Sequence, residues 1–144
     1  MIDGKIRLAT KEDINKITIL YNSDLKNLSG DNKTRIHKED IEDYFKNKLN
    51  KIFIYEIDKR IAGFLIAQFW RHYIHLHIII INEKYRRQGI GEELIGYLEK
   101  LAKKQDKYFL DLFTEINNKN MKNLLKKRKY QSGNKFIFYS KKLR

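Results

Sequence analysis

The apolar positions of the chain alternate between two periods, and the alternation predicts the elements. Ile6-Arg7-Leu8 reads as a short first strand, and Thr10-Lys11-Glu12-Asp13 follows as a capping-box-like helix start in which Thr10 caps and Asp13 reciprocates. Ile14, Ile17 and Tyr21 then recur at helical spacing. Residues 22–35 are polar and contain Ser29-Gly30-Asp31-Asn32, a loop signal, before a second helix carrying Ile41, Tyr44, Phe45 and Leu49. Residues 52–57 and 61–69 read as strands joined by the turn Asp58-Lys59-Arg60, with Gly63 placed where a neighbouring group can approach closely. Trp70-Arg71-His72 must turn the chain into residues 73–81, the longest strand. Simple alternation puts Ile74, Leu76, Ile78 and Ile80 on one face of that strand and His75, His77, Ile79 and Ile81 on the other. Its all-isoleucine end, residues 78–81, predicts a strand covered on both sides.

Residues 91–104 give the clearest helix, with Leu94, Leu98, Leu101 and Ala102 in one stripe. Residues 108–114 form a strand that follows a helix, which predicts a parallel crossover onto residues 73–81. Residues 118–128 make a short basic helix with Met121, Leu124 and Leu125 on its apolar side. Tyr130-Gln131, the turn Ser132-Gly133-Asn134 and Phe136-Ile137-Phe138-Tyr139 are expected to close the chain as a hairpin. The predicted order is β-α-α-β-β-β-α-β-α-β-β, a mixed α/β sandwich in one domain spanning residues 1–144.

Composition narrows the chemistry. At 144 residues the chain suits one domain, and 42% hydrophobic residues place it among globular sequences. The absence of cysteine excludes disulfides, thiolate metal sites and a cysteine nucleophile, and no metal site is expected. No apolar run reaches the roughly 18–20 residues of a membrane span. Met1-Ile2-Asp3-Gly4-Lys5 has no apolar core of a secretory signal, so the expected compartment is the cytoplasm. The net charge of +13 favours anionic partners: a phosphate-rich ligand, an acidic surface or nucleic acid. The lysines are spread along the chain, with one dense run at Lys126-Lys127-Arg128-Lys129 that suits a solvated helix face.

The stretch from Ile81 to Gly91 joins a buried strand to an amphipathic helix and reads Ile-Asn-Glu-Lys-Tyr-Arg-Arg-Gln-Gly-Ile-Gly. A turn entering a helix leaves its first N–H groups unpaired, with the positive end of the dipole behind them. Gly89 and Gly91 keep side chains away from that backbone, and Lys84, Arg86 and Arg87 add charge. This is the chemistry of a diphosphate site. No Gly-Lys-Ser/Thr follows, so it is not a P-loop, and the spacing differs from the dinucleotide fingerprint G-x-G-x-x-G.

Arg86-Arg87-Gln88-Gly89-Ile90-Gly91 after an isoleucine-rich strand resembles the acetyl-CoA motif of the GNAT N-acetyltransferase superfamily. Residues 6–13 are similar to that family's opening, residues 52–64 to its β2–β3 hairpin, and residues 118–130 to its Asn-containing segment after β5. The resemblance implies that the parallel central strands splay and that the pantetheine arm of acetyl-CoA lies in the gap, paired with the backbone of the Ile79-Ile80-Ile81 stretch. It also implies that the amides of residues 86–91, with Glu92 behind them in the first helical turn, hold the diphosphate, and that Asn118 lies beside the cofactor.

The implied reaction moves an acetyl group to a primary amine: a protein N-terminus, a lysine or a small-molecule amine. A lysine-type amine has a pKa of about 10.4 and must lose a proton first. His75 is the leading candidate base, because its spacing from Arg86 matches the position where some family members place a glutamate, and a neutral imidazole can serve. His77 is the second candidate. Glu83, His37 and His72 read as surface residues. The family's general-acid tyrosine falls on Leu125 here, so Tyr130, with Tyr139 behind it, becomes the substitute, or the thiolate leaves unassisted. Trp70 and Tyr73 suit packing or a homodimer contact. A short closing hairpin would leave the acceptor side open. The rival readings are an acyl-CoA-binding module that does not transfer, and a basic nucleic-acid-binding or ribosome-associated protein; nucleic acid is expected only as part of a ribosomal acceptor.

Overall fold

The computed structural model describes residues 3–27 and 34–144. The loop signal at Ser29-Gly30-Asp31-Asn32 lies outside them. The strands are β1 (Lys5–Leu8), β2 (Asn50–Ile57), β3 (Arg60–Phe69), β4 (Tyr73–Ile81) and β5 (Phe109–Leu112). The helices are α1 (Ile14–Asn22), α2 (Lys38–Lys46), α3 (Ile90–Lys104) and α4 (Lys119–Lys127). The strands form one sheet in the order β1-β2-β3-β4-β5, antiparallel up to β4 and parallel between β4 and β5. The parallel pair follows from the intervening α3, as a strand–helix–strand crossover requires. Among the described residues, no helix is long and apolar enough to cross a membrane.

Two apolar layers sandwich the sheet. On one face Ile14, Ile17 and Leu20 of α1 and Ile41 of α2 pack on Ile52, Ile54, Phe64, Ile66 and Ile80. On the other, Leu94, Ile95 and Leu98 of α3 pack on Phe53, Leu65, Ala67, Ile74 and Leu76, with Met121, Leu124 and Tyr130 at the edge. Burying each of these large side chains contributes about 1.5–3 kcal/mol. Gly63 is where β3 and β4 come closest, since a Cβ there would stand 3.0 Å from the Ile80 carbonyl oxygen. Ahead of α1, Asp13 accepts the Thr10 N–H at 2.7 Å, as the capping pattern predicts, and it also binds Arg7.

Simple alternation fails in β4. Ile66 pairs with Ile78 and Ala67 with Leu76, so His77 is an extra residue, a β-bulge. The bulge reverses the faces: Ile74 and Leu76 share the α3 side with Ile79 and Ile81, while Ile78 and Ile80 face α1 and α2. Neither glycine nor proline marks the spot, which is why the isoleucine pattern concealed it.

The closing hairpin is not formed. Residues 131–144 carry no regular structure and are exposed, including Phe136, Ile137, Phe138 and Tyr139. The first arm is consumed by the end of α4. The Lys129 N–H donates to the Lys126 carbonyl and the Tyr130 N–H to the Leu125 carbonyl, with Lys129 in the left-handed region at φ 65°. Only Gln131 is left to pair before the turn, and a hairpin needs more than that. Phe136 instead sets its ring edge-on to Phe113 at 5.9 Å. β5 is also shorter than the expected residues 108–114.

Candidate active site

The end of β4 and the start of α3 build the site. Asn82 turns the chain, its Oδ1 accepting the Lys84 N–H at 3.1 Å, and a single 3₁₀ turn over Glu83–Tyr85 follows. The backbone then enters the left-handed region twice, at Arg87 (φ 61°) and at Gly89 (φ 82°), the cap of α3. A left-handed arginine is uncommon and costs about 1–3 kcal/mol, a strain that recurs at functional sites. The result is a concave run of amides: among the described residues, no backbone N–H from residue 87 to residue 92 has a protein acceptor. Successive unpaired N–H groups at the positive end of a 15-residue helix make an anion cradle.

The cradle opens into a groove of about 1260 Å³. Ile79, Ile81, Arg86, Arg87, Gly89, Ile90, Gly91, Glu92 and Asn118 all line it, together with Asp24, Lys119 and Leu124. Its size exceeds the roughly 300–1,000 Å³ of pockets for drug-sized molecules and suits a long ligand. Two expected contacts are not on its wall. Ile80 points into the α1–α2 core because of the bulge, and Gln88 faces solvent in the turn. At Gly91 a Cβ would just reach ordinary contact, 3.9 Å, with both Ile81 and Leu124.

Arg86 is no free cation. Its Nη2 binds Asp24 at 2.6 Å and its Nε donates to the Ile81 carbonyl at 3.0 Å, so it ties the stretch after α1 to the end of β4. Arg87 and Lys119 have no ion-pair partner among the described residues and leave their charge to the groove. Glu92 pairs with Lys127 at 3.1 Å and Arg128 at 3.6 Å, fastening α4 to α3. Asn118 caps α4, its Oδ1 accepting the Met121 N–H at 3.1 Å.

β4 and β5 pair only from Tyr73↔Phe109 to Leu76↔Leu112, whereas β4 runs on to Ile81. Past Leu76 its β5-facing edge has no partner strand, and the strands part at the bulge. A second cavity of about 200 Å³ lies in the fork, lined by Tyr21, His77, Ile79, Leu112, Thr114 and Asn118. His77 Nε2 is 3.0 Å from the Tyr44 hydroxyl. His77 is exposed by surface area but hemmed by neighbouring protein, and this partial desolvation, with His75 as the smaller cause, lowers its pKa from the ordinary histidine value. His75 lies behind it, next to the fork but outside the lining of both cavities, with Nδ1 2.7 Å from Asp111 Oδ1. The two imidazoles are 6.3 Å apart.

Tyr130 is elsewhere. It packs at the edge of the α3 core, its buried hydroxyl close to the Glu99 carboxylate that Arg128 already engages but without a well-formed hydrogen bond to it. Burial, with the Glu99 charge second, pushes its pKa well above the ordinary tyrosine value, and it lines neither cavity. Its place against the α3 core, rather than beside the fork, does not suit the expected role of substitute acid; Tyr139 is exposed in the C-terminal stretch. His37 and His72 are surface residues as expected, and Trp70 stacks on Tyr73 of its own chain at 6.1 Å. Asp24, Tyr44 and Asp111 were not anticipated. The only sequence signal for Asp111 is its place in a parallel strand two residues after Phe109. Among the described residues no cluster suited to a metal ion occurs.

Solved structures share this architecture. A ribosomal-protein-alanine N-acetyltransferase from Brucella melitensis biovar Abortus 2308 superposes with a TM-score of 0.79 at 16% identity, over 96% of this chain and 100% of that one. The aminoglycoside acetyltransferase meta-AAC0020 from an uncultured soil metagenomic sample, in complex with sisomicin, gives 0.78 at 14% identity, over 98% and 97%. YncA from Salmonella typhimurium, solved with its cofactor acetyl-CoA, gives 0.77 at 17% identity, over 88% and 79%. Identities this low establish the fold alone. No curated protein matches the chain by sequence. Residues 14–130 match the acetyltransferase (GNAT) family, and the chain belongs to that family.

Proposed function

We propose that the protein transfers an acetyl group from acetyl-CoA to a primary amine. The observation that carries this reading is the run of unpaired amides at residues 87–92, opening into a groove that leads to the fork between β4 and β5. A diphosphate fits the amides, and a chain of amide groups fits the unpaired edge of β4, whose N–H and C=O groups need partners. Acetyl-CoA would supply an activated acyl thioester.

The residues of this chain do the rest. The amides of residues 87–92 and the charges of Arg87 and Lys119 hold the diphosphate; Ile79 and Ile81 offer backbone groups to the arm. His75 takes the proton of the acceptor ammonium, with His77 as the neighbouring neutral imidazole. Holding both reactants in line contributes on the order of 7–11 kcal/mol. Proton transfer contributes a smaller 10²–10⁴-fold, so a missing α4 tyrosine does not forbid turnover. The acceptor is an N-terminus, a lysine or a small amine. The test is release of free thiol from acetyl-CoA with a panel of such amines, and transfer of labelled acetyl in a lysate read by mass spectrometry. Thiol release with at least one class supports the proposal; no release, with no coenzyme A-dependent rise in melting temperature, overturns it.

One observation favours a second reading, acyl-CoA binding without transfer: α4 has no tyrosine, and Tyr130 is turned away from both cavities. A thermal shift without thiol release is its signature.

A further inference from the structure

The last rungs before β4 and β5 separate place an acid beside a histidine. His75 pairs with Asp111 in the parallel register, so both side chains leave the same face of the sheet. The His75 side chain is 17% exposed and Asp111 58%, so the acid is open to solvent while the ring is held. Phe113 lies 5.4 Å from the ring on one side and His77 6.3 Å away on the other. The contact to Asp111 is through Nδ1, at 2.7 Å.

We propose that Asp111 is the positioning residue of the base: it fixes neutral His75 as the Nδ1–H tautomer and leaves the lone pair on Nε2. An ionised carboxylate can only accept, so Nδ1 must donate, and a neutral imidazole has one lone pair to offer. The inference rests on the proposed transfer, in which His75 is the base. There the acceptor R–NH₃⁺ gives one proton to His75 Nε2. The freed nitrogen pair bonds to the thioester carbon, the C–S bond breaks with its electrons going to sulfur, and the nitrogen's second proton ends on that sulfur. His75 returns its proton to water. Asp111 stays ionised throughout and stabilises the imidazolium, which the other nearby groups do not: His77 bears like charge when protonated, the Tyr44 hydroxyl engages His77 rather than His75, and Tyr21 and Phe113 are uncharged.

A merely structural rung would lower stability and leave the tautomer and the split between kcat and KM alone, so those two are the readouts. In ¹⁵N-labelled protein near neutral pH, long-range ¹H–¹⁵N correlation spectra, assigned with H75Q, show the His75 proton on Nδ1. In Asp111→Asn the amide can donate to the ring, and the proton moves to Nε2. The turnover number kcat drops about a hundredfold with the amine KM unchanged, and Asp111→Glu restores part of it. A wild-type proton on Nε2, or an Asp111→Asn protein with unchanged tautomer and unchanged kcat, overturns the inference. The proposed function fails separately, by absence of thiol release and of a coenzyme A thermal shift in the wild type; the tautomer spectrum judges Asp111 in either case.

Discussion

Replacing Gly91 by alanine separates the stability of the domain from its ability to hold a ligand. Gly91 is the second residue of α3, and its φ is not in the left-handed region. A Cβ there would stand 3.9 Å from Ile81 Cγ1 and 3.9 Å from Leu124 Cδ1, ordinary contact distances, so the empty protein accepts the methyl without moving. Alanine is also the better helix former by about 0.5–1 kcal/mol. For a domain of this size that corresponds to a rise of about 2–4 °C per kcal/mol. The same methyl narrows the groove between two of its walls. Crowding of a fitted site by a methyl costs about 1–3 kcal/mol, which is roughly a ten- to hundredfold loss of affinity. At coenzyme A a hundredfold above the wild-type Kd, ligand stabilises the native state by about 2.7 kcal/mol; a tenfold weaker site leaves about 1.4 and a hundredfold weaker one about 0.4. Differential scanning fluorimetry with and without coenzyme A reads both effects. The expected pattern is a higher melting temperature alone and a shrunken or lost ligand shift. A full ligand shift in Gly91→Ala would mean that the ligand does not pass between Ile81 and Leu124, and the groove assignment would be wrong.

Other perturbations probe single contacts. Tyr130→Phe should leave thiol release at the wild-type level, because the hydroxyl lies in the α3 core beside Glu99 and lines neither cavity, and should not lower the melting temperature, because the deleted group is buried without a well-formed hydrogen bond; a loss of turnover would return Tyr130 to the mechanism. Asp24→Asn removes the charge that holds Arg86 and should cost about 1–3 kcal/mol in urea melts; an unchanged midpoint would show that the pair is incidental. Arg7 holds the Asp13 carboxyl below the usual carboxylate range, so its contribution is complete above about pH 4 and fades as pH falls through the depressed value. Asp13→Asn should flatten that acid slope. His77 is also depressed, which means the unfolded chain binds its proton first and stability falls as pH drops below about 6.5. His77→Gln should remove that part of the slope between pH 7.5 and 5.5, and a slope identical to wild type would contradict the crowding assigned to the ring.

The legible parts of this sequence were those in which one physical signal has one structural meaning. Period-2 and period-3.6 runs gave each strand and helix of the sheet-and-helix core, and glycines at a strand–helix junction gave the run of unpaired amides from residue 87 to residue 92. The illegible parts are those in which identical residues serve different geometries. Ile78 to Ile81 read the same in either register, so the bulge at His77 left no trace, and Ile80 was assigned to the wrong face. Phe136 to Tyr139 have the composition of a strand, but strand propensity expresses itself only where an edge and a face are on offer. Here the cap of α4 had already taken Tyr130.

The charge of the chain is a poor guide to how the cradle works. With +13 to spend on an anion, the sequence suggests that Arg86 and Arg87 act as a pair of cations. The structure gives them opposite duties. Arg86 is neutralised by Asp24 and gives a second donor to the Ile81 carbonyl, so it holds the end of β4 against the segment after α1 and would add little to the proposed diphosphate site. Arg87 sits in the left-handed region, which turns the neighbouring amides into one concavity, so in the proposed site it would act through its backbone as well as its side chain. Main-chain N–H groups fixed by a helix cost no side-chain entropy on binding, whereas a lysine or arginine on a solvated surface does. A site made from the backbone therefore loses less to high salt than a patch of surface cations. Coenzyme A binding that persists in 0.5 M salt would fit a cradle of amides, and binding that collapses there would move the site to the basic surface.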